Sequence, residues 1–151
     1  MFSLKFLERV FSFFKKKKLD YETISYYKVN KAVSNISPRK KEILDGQYRT
    51  LNIQGFKDEL KRIPVLGKKW IADYEDCDDF ARRLWGLMSF VHPNLCFGVV
   101  MITRVNDRHA LNCFVDSKGD FYFVEPQTNI VYHWYYYFKV FKVKKVDLVL
   151  I

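Results

Sequence analysis

The chain has 151 residues, 49% hydrophobic and 18% aromatic, with 26 Lys+Arg against 17 Asp+Glu and a net charge of +9. Such a length and apolar content suit one domain with its own core and exclude wholesale disorder, and no apolar run reaches the roughly 18 residues of a spanning helix. Three cysteines, an odd number, argue against a disulfide framework and for a reducing, cytoplasmic compartment.

The opening segment MFSLKFLERVFSFFKKKK reads as a basic amphipathic helix over residues 1–18, with Phe2, Phe6, Leu7, Val10, Phe11, Phe13 and Phe14 on one arc. Lys5, Arg9, Ser12 and Lys16 fall on the opposite arc. It is not a secretory signal, because charges interrupt the apolar run and the basic cluster follows it. Two roles stay open: docking on an anionic membrane or a partner protein, or packing on the domain itself. Residues 1–18 and 139–151 carry nearly all the excess positive charge, so the body of the chain is almost neutral and offers little to nucleic acid.

Residues 19–151 read as a single domain. Over 21–69 the pattern is helical and connective. Ser37-Pro38 resembles a cap with proline in the first turn of a short helix running toward Asp45, and Gly46 stands where it would stop. Phe56 to Arg62 is a second short helix, ended by Pro64. From Phe80 the apolar residues Phe80, Ala81, Leu84, Leu87, Met88 and Val91 share one helical face. Asp76 is its N-cap, Asp79 stands at the third position, and His92-Pro93 ends it. Strands follow: Leu95–Thr103, His109–Val115, Phe121–Glu125, a long aromatic one from Ile130 to Val143, and an edge strand Val146–Ile151. Helices first and an antiparallel meander afterwards make the class α+β.

This indexing places Cys77 in the first helical turn, where backbone N–H groups and the helix dipole favour a thiolate, although Asp76 and Asp78 oppose it. The loop Asp116-Ser117-Lys118-Gly119-Asp120 suits a hairpin with Gly119 in the left-handed region. That register sets residue 116 opposite 120 and 111 opposite 125. His109 and Glu125 then share a face diagonally, with Gln127 opposite His109. A register one residue away would turn Glu125 to the other face. A cysteine, a base and an orienting carboxylate are the parts of a thiol nucleophile site. Cys96 and Cys113 lie in apolar strands and read as core thiols.

The segments Tyr74-Glu75-Asp76-Cys77-Asp78-Asp79-Phe80-Ala81, His109-Ala110-Leu111-Asn112 and Glu125-Pro126-Gln127 resemble the papain-like cysteine protease domain found in the fairy-ring mushroom agglutinin. Small bacterial and phage proteins related to that lectin domain share the pattern. The resemblance covers about residues 70–130. It implies a papain-like fold, with a nucleophile helix packed on an antiparallel sheet and N-terminal helices, and a catalytic triad of Cys77, His109 and Glu125. It also implies calcium or manganese at the site, with Asp78 and Asp79 as metal ligands. The carbohydrate-binding module has no counterpart in this chain, so the resemblance carries no sugar binding.

Two functional expectations follow. The first is a cysteine hydrolase, a peptidase or amidase acting on a peptide or protein substrate, or a related acyl-transfer enzyme. In it Cys77 attacks, His109 moves the proton and Glu125 holds the imidazole. Backbone N–H groups at the helix start, with Gln47 or Gln54, would stabilise the oxyanion. The second is a non-catalytic binding or inhibitor module on the same scaffold, docking a membrane or partner protein through residues 1–18. A weaker third reading, single-stranded nucleic-acid binding by the carboxyl-terminal Lys and Tyr residues, requires steep salt dependence.

Overall fold

The computed structural model describes residues 19–63 and 76–151. Among these residues eight strands form two sheets. Strands β1 (Glu22–Ser25) and β3 (Gln47–Thr50) make a two-stranded antiparallel sheet. The larger sheet has six strands in the order β2-β8-β4-β5-β6-β7. These are β2 (Lys41–Glu42), β4 (Phe97–Arg104), β5 (Arg108–Val115), β6 (Phe121–Glu125), β7 (Ile130–His133) and β8 (Val143–Leu150). Four helices accompany them among the described residues: α1 (Tyr26–Ser34), α2 (Ile53–Arg62), α3 (Cys77–Val91) and α4 (Trp134–Phe141). None of these is long and apolar enough to cross a membrane.

Both faces of the large sheet are covered, and period-two alternation along β5 shows how. Leu111, Cys113 and Val115 enter one core cluster with Val29, Val33, Phe123 and Tyr137. Phe114 enters a second cluster with Phe56, Leu60, Leu84 and Met88. Helices α1 and α4 thus close one face, and α2 and α3 the other. Strand β3 is tied to this body by the Thr50 hydroxyl, which donates to the Val115 carbonyl at 2.6 Å, and by the Cys96 amide, which donates to the Arg49 carbonyl.

The meander β4-β5-β6-β7 is antiparallel throughout, and its central hairpin has the expected register, with Asn112 opposite Val124 and Val115 opposite Phe121. Gly119 has φ +92°, a conformation glycine adopts without the Cβ penalty. Helix α3 begins and ends as its caps dictate: the Asp76 side chain accepts from the Asp78 amide, and His92 closes the last turn.

The expected papain-like arrangement, an antiparallel sheet behind N-terminal helices, is not what forms. The sheet is mixed, because β2 runs parallel to β8. Strand β8 is no edge strand but lies between β2 and β4. Most of the 21–69 segment that reads as helical and connective holds β1, β2 and β3 as well as helices. No helix starts at Ser37-Pro38. Ser25 caps α1 earlier, its hydroxyl accepting from the Lys28 amide, and Val29, Ala32 and Val33 bury one stripe. Pro38 therefore follows a finished helix, a position where proline is common. The aromatic run Ile130–Val143 divides into β7 and α4. Tyr137 and Phe141 stack at 4.3 Å one turn apart, and Tyr137 packs on Phe123 at 4.8 Å, contacts that only the helical spacing provides. The helix stops at Lys142, whose φ is +51°. The amphipathic segment 1–18 and the 64–75 stretch, with Tyr74 and Glu75 of the motif, lie outside the described residues.

Candidate functional site

Strands β4 and β5 pair so that Met101 faces Ala110 and Ile102 faces His109. The start of α3 reaches the same place, brought there by its packing over β5. Buried Asn112 secures that packing: its side-chain amide donates to the Ala81 carbonyl of α3 at 2.9 Å and to the Gly98 carbonyl of β4 at 3.0 Å. The result is an open cleft of about 250 Å³ lined by Asp76, Cys77, Asp78, Met101, Ile102, Arg108, His109 and Ala110.

Cys77, His109 and Glu125 are brought close together, but not as a continuous relay. The Cys77 sulfur accepts a hydrogen bond from the Ala110 amide at 3.4 Å. His109 Nε2 instead meets Glu125 Oε2 at 2.8 Å. Among the described residues no hydrogen bond joins the sulfur to the imidazole. Burial pushes the Cys77 thiol up, the Ala110 amide opposes this, and the charges of Asp76 and Asp78 raise it further. Burial and the two aspartates thus work against the thiolate that the helix start favours. Gln47 and Gln54 do not reach the cleft. Gln47 opens β3 and its carbonyl accepts from Asn94, whereas the Gln54 side chain donates to Asp58 within α2. Cys96 and Cys113 are buried free thiols, Cys96 pushed up to about 12 by burial and Cys113 likewise raised well above the ordinary thiol range.

Asp76, Asp78 and Asp79 place carboxylate oxygens within 4.8 Å of one another. Asp78 is held above the usual carboxylate range, first by its hydrogen bond with Asp76 and then by burial and the Asp76 charge. Arg82 counters this from the next turn, 3.2 Å from Asp78 and 2.5 Å from Asp79, and it holds Asp79 low. The donors are all oxygen, which suits a hard divalent cation. Arg108, Met101 and Ile102 belong to the cleft although no motif marks them. What brings them there is the pairing of β4 with β5, which is readable only once the strand partners are known.

The fold and cleft define a mixed-sheet domain with helices on both faces and a half-open polar hollow beside one helix start. No protein-family model matches the chain, and no curated protein does. Solved structures do match. A complex of PSL1a with E64 superposes with a TM-score of 0.70 at 20% identity, over 85% of this chain and 51% of that one. The Polyporus squamosus lectin bound to the human-type influenza-binding epitope Neu5Acα2-6Galβ1-4GlcNAc gives 0.67 at 20% identity, over 85% and 49%. This chain therefore spans about half the length of the structures it matches, and the likeness at that identity shows a shared fold.

These findings correct the reading drawn from the Cys77, His109 and Glu125 motifs. No family model supports a papain-like cysteine protease or its small bacterial and phage relatives, and a structure that shares the fold is that of a lectin. The assignment as a cysteine hydrolase falls with it. In the cleft the Cys77 sulfur is bonded to the Ala110 amide rather than to the imidazole.

Proposed function

We propose that the chain is a binding module whose ligand occupies the cleft between the start of α3 and the β4–β5 pair. The lining carries this reading. Asp76 and Asp78 are acceptors, Arg108 is a donor, His109 stands beside them with its Nε2 engaged by Glu125, and Met101 and Ala110 supply apolar surface. Paired acceptors for hydroxyl groups, a cation for a carboxylate and an apolar surface for a C–H face are what a saccharide requires, so a glycan is the proposed partner class. The sialylated epitope held by the lectin of the same fold supports it. Cys77, His109 and Glu125 serve as ligand-facing and positioning groups. Calcium or manganese at Asp76, Asp78 and Asp79 would supply a further positive centre beside the cleft.

The test is titration of isotope-labelled full chain with the sialylated trisaccharide and its asialo counterpart, followed by amide shifts. The expected shifts lie at Cys77, Arg108 and Ala110. Arg108→Ala weakens the acidic glycan at least roughly tenfold, the size of a lost charge-assisted hydrogen bond, and leaves the neutral one unchanged. Shifts elsewhere, or binding of peptides but no saccharide, would overturn the glycan reading. Docking of residues 1–18 on a membrane or partner protein is a separate proposal, tested by deleting that segment.

A further inference from the structure

The solvent side of α4 is unusual for a surface helix. Its other side is anchored, since Trp134, Tyr137, Phe138 and Phe141 pack on the first core cluster. What remains outward is Tyr135, Tyr136, Lys139 and Val140, with Tyr135, Tyr136 and Val140 exposed by 52%, 57% and 48%. The tip of the β4–β5 turn adds Val105, 49% exposed. The two meet around a shallow hollow of about 250 Å³ lined by Arg104, Val105, Asp107, Val140, Phe141 and Lys142.

The charge on this surface is positive and not neutralised. Among the described residues Lys139, Lys142 and Lys144 are exposed and in no salt bridge, and Lys139 lies 4.4 Å from the Tyr135 ring centroid. The neighbouring carboxylates are engaged elsewhere. Asp107 is held low by the Arg104 guanidinium, and Asp147 accepts from the Thr103 hydroxyl and pairs with Lys145. Tyrosines and valines that project outward among lysines outside any salt bridge match a surface that is anionic outside and apolar just beneath.

We propose that this face of α4, with the β4–β5 turn, docks the protein on an anionic lipid surface. Val105 and Val140 insert at headgroup depth while Lys139, Lys142 and Lys144 contact the headgroups. Lipid is favoured over single-stranded nucleic acid because the two valines offer nothing to stack on. Tyr136, moreover, has one ring face turned to Tyr132, with centroids 6.3 Å apart and planes 8° from parallel.

Co-sedimentation of the full chain with vesicles of phosphatidylcholine containing about one-third phosphatidylserine tests this. The protein is expected to partition to those vesicles and not to phosphatidylcholine alone, less so as salt rises. Lys139→Glu with Lys142→Glu weakens partition at least roughly tenfold, and Val140→Asp does the same, with unchanged melting temperatures because all three side chains are exposed. Equal partition of wild type and both variants would overturn the proposal and assign the attraction to residues 1–18. Absence of vesicle binding, or preference for a single-stranded oligonucleotide in competition, would also overturn it.

Discussion

His109 Nε2 lies 2.8 Å from Glu125 Oε2, although the two residues are not opposite one another in the β5–β6 ladder. The ladder pairs run from Val115–Phe121 to Asn112–Val124, and the next would set Leu111 opposite Glu125, leaving His109 on the diagonal. The loop makes this register. Asp116 Oδ1 accepts from the Lys118 and Asp120 amides, and Gly119 supplies the positive φ. With the imidazole held by Glu125, the Cys77 sulfur is left to the Ala110 amide.

The state of that thiol is measurable. Burial raises Cys77, and Asp76 and Asp78 add to the effect. Its alkylation rate with iodoacetamide should follow a titration centred above the value of about 8.5 for free cysteine. Asp76→Asn together with Asp78→Asn should move the midpoint down. Cys96 and Cys113 should remain unlabelled in the native protein, being buried. Peptide mass spectrometry over a pH series checks all three, and a Cys77 midpoint below pH 7 would contradict the geometry.

Asp78 and Asp79 should respond to pH in opposite directions. Asp78 titrates above its unfolded value, so between the two values the folded state binds more protons and stability falls as pH rises. Asp78→Asn should therefore raise the melting temperature at pH 7 and leave it unchanged at pH 3. Solvent screening at this half-exposed group keeps the gain to about 1–2 °C. Asp79, lowered by Arg82, contributes stability that is present above its unfolded value and lost as pH falls through the folded one. Asp79→Asn should thus lower the melting temperature at pH 7. Millimolar calcium or manganese should raise the wild-type melting temperature, and less so in Asp78→Asn. Melts at the two pH values, with and without cation, decide it.

Two glycines make a matched pair. A Cβ on Gly98 would stand 1.9 Å from the Leu150 carbonyl oxygen, which is backbone and cannot yield without parting β4 from β8. Gly98→Ala should cost about 3 kcal/mol or more, at or beyond the upper end of overpacking effects. Gly86, on the exposed side of α3, meets nothing within 4 Å. Gly86→Ala should add about 0.5–1 kcal/mol through helix propensity. Urea unfolding of both variants checks the contrast.

Much of the region around the cleft is legible in the residues alone. Phe80, Ala81, Leu84 and Met88 recur at helical spacing, and these four are buried. The turn residues of 116–120 define the hairpin, and with it the approach of Glu125 to His109. The aromatic run after Ile130 is not legible in this way. A short stretch apolar on every side satisfies both the helix and the strand period, and Phe123 of another strand selects the helix. Residues 41–50 hide their strands for a similar reason. Lys41 and Glu42 have no apolar alternation, and their pairing depends on β8, more than a hundred positions away.

For this protein the sequence by itself determined the Asp76 cap, the 116–120 hairpin register and the approach of Glu125 to His109, because each follows from local spacing or turn chemistry. The tertiary structure alone decided the mixed sheet, the central place of β8 and the company of the Cys77 sulfur. Whether a thiol meets an imidazole or an amide depends on how a helix start seats over a strand, a matter of ångströms set by packing on both sheet faces, and sequence spacing carries no such distance. That seating gives the Cys77 sulfur the Ala110 amide as its partner, at the edge of a polar cleft.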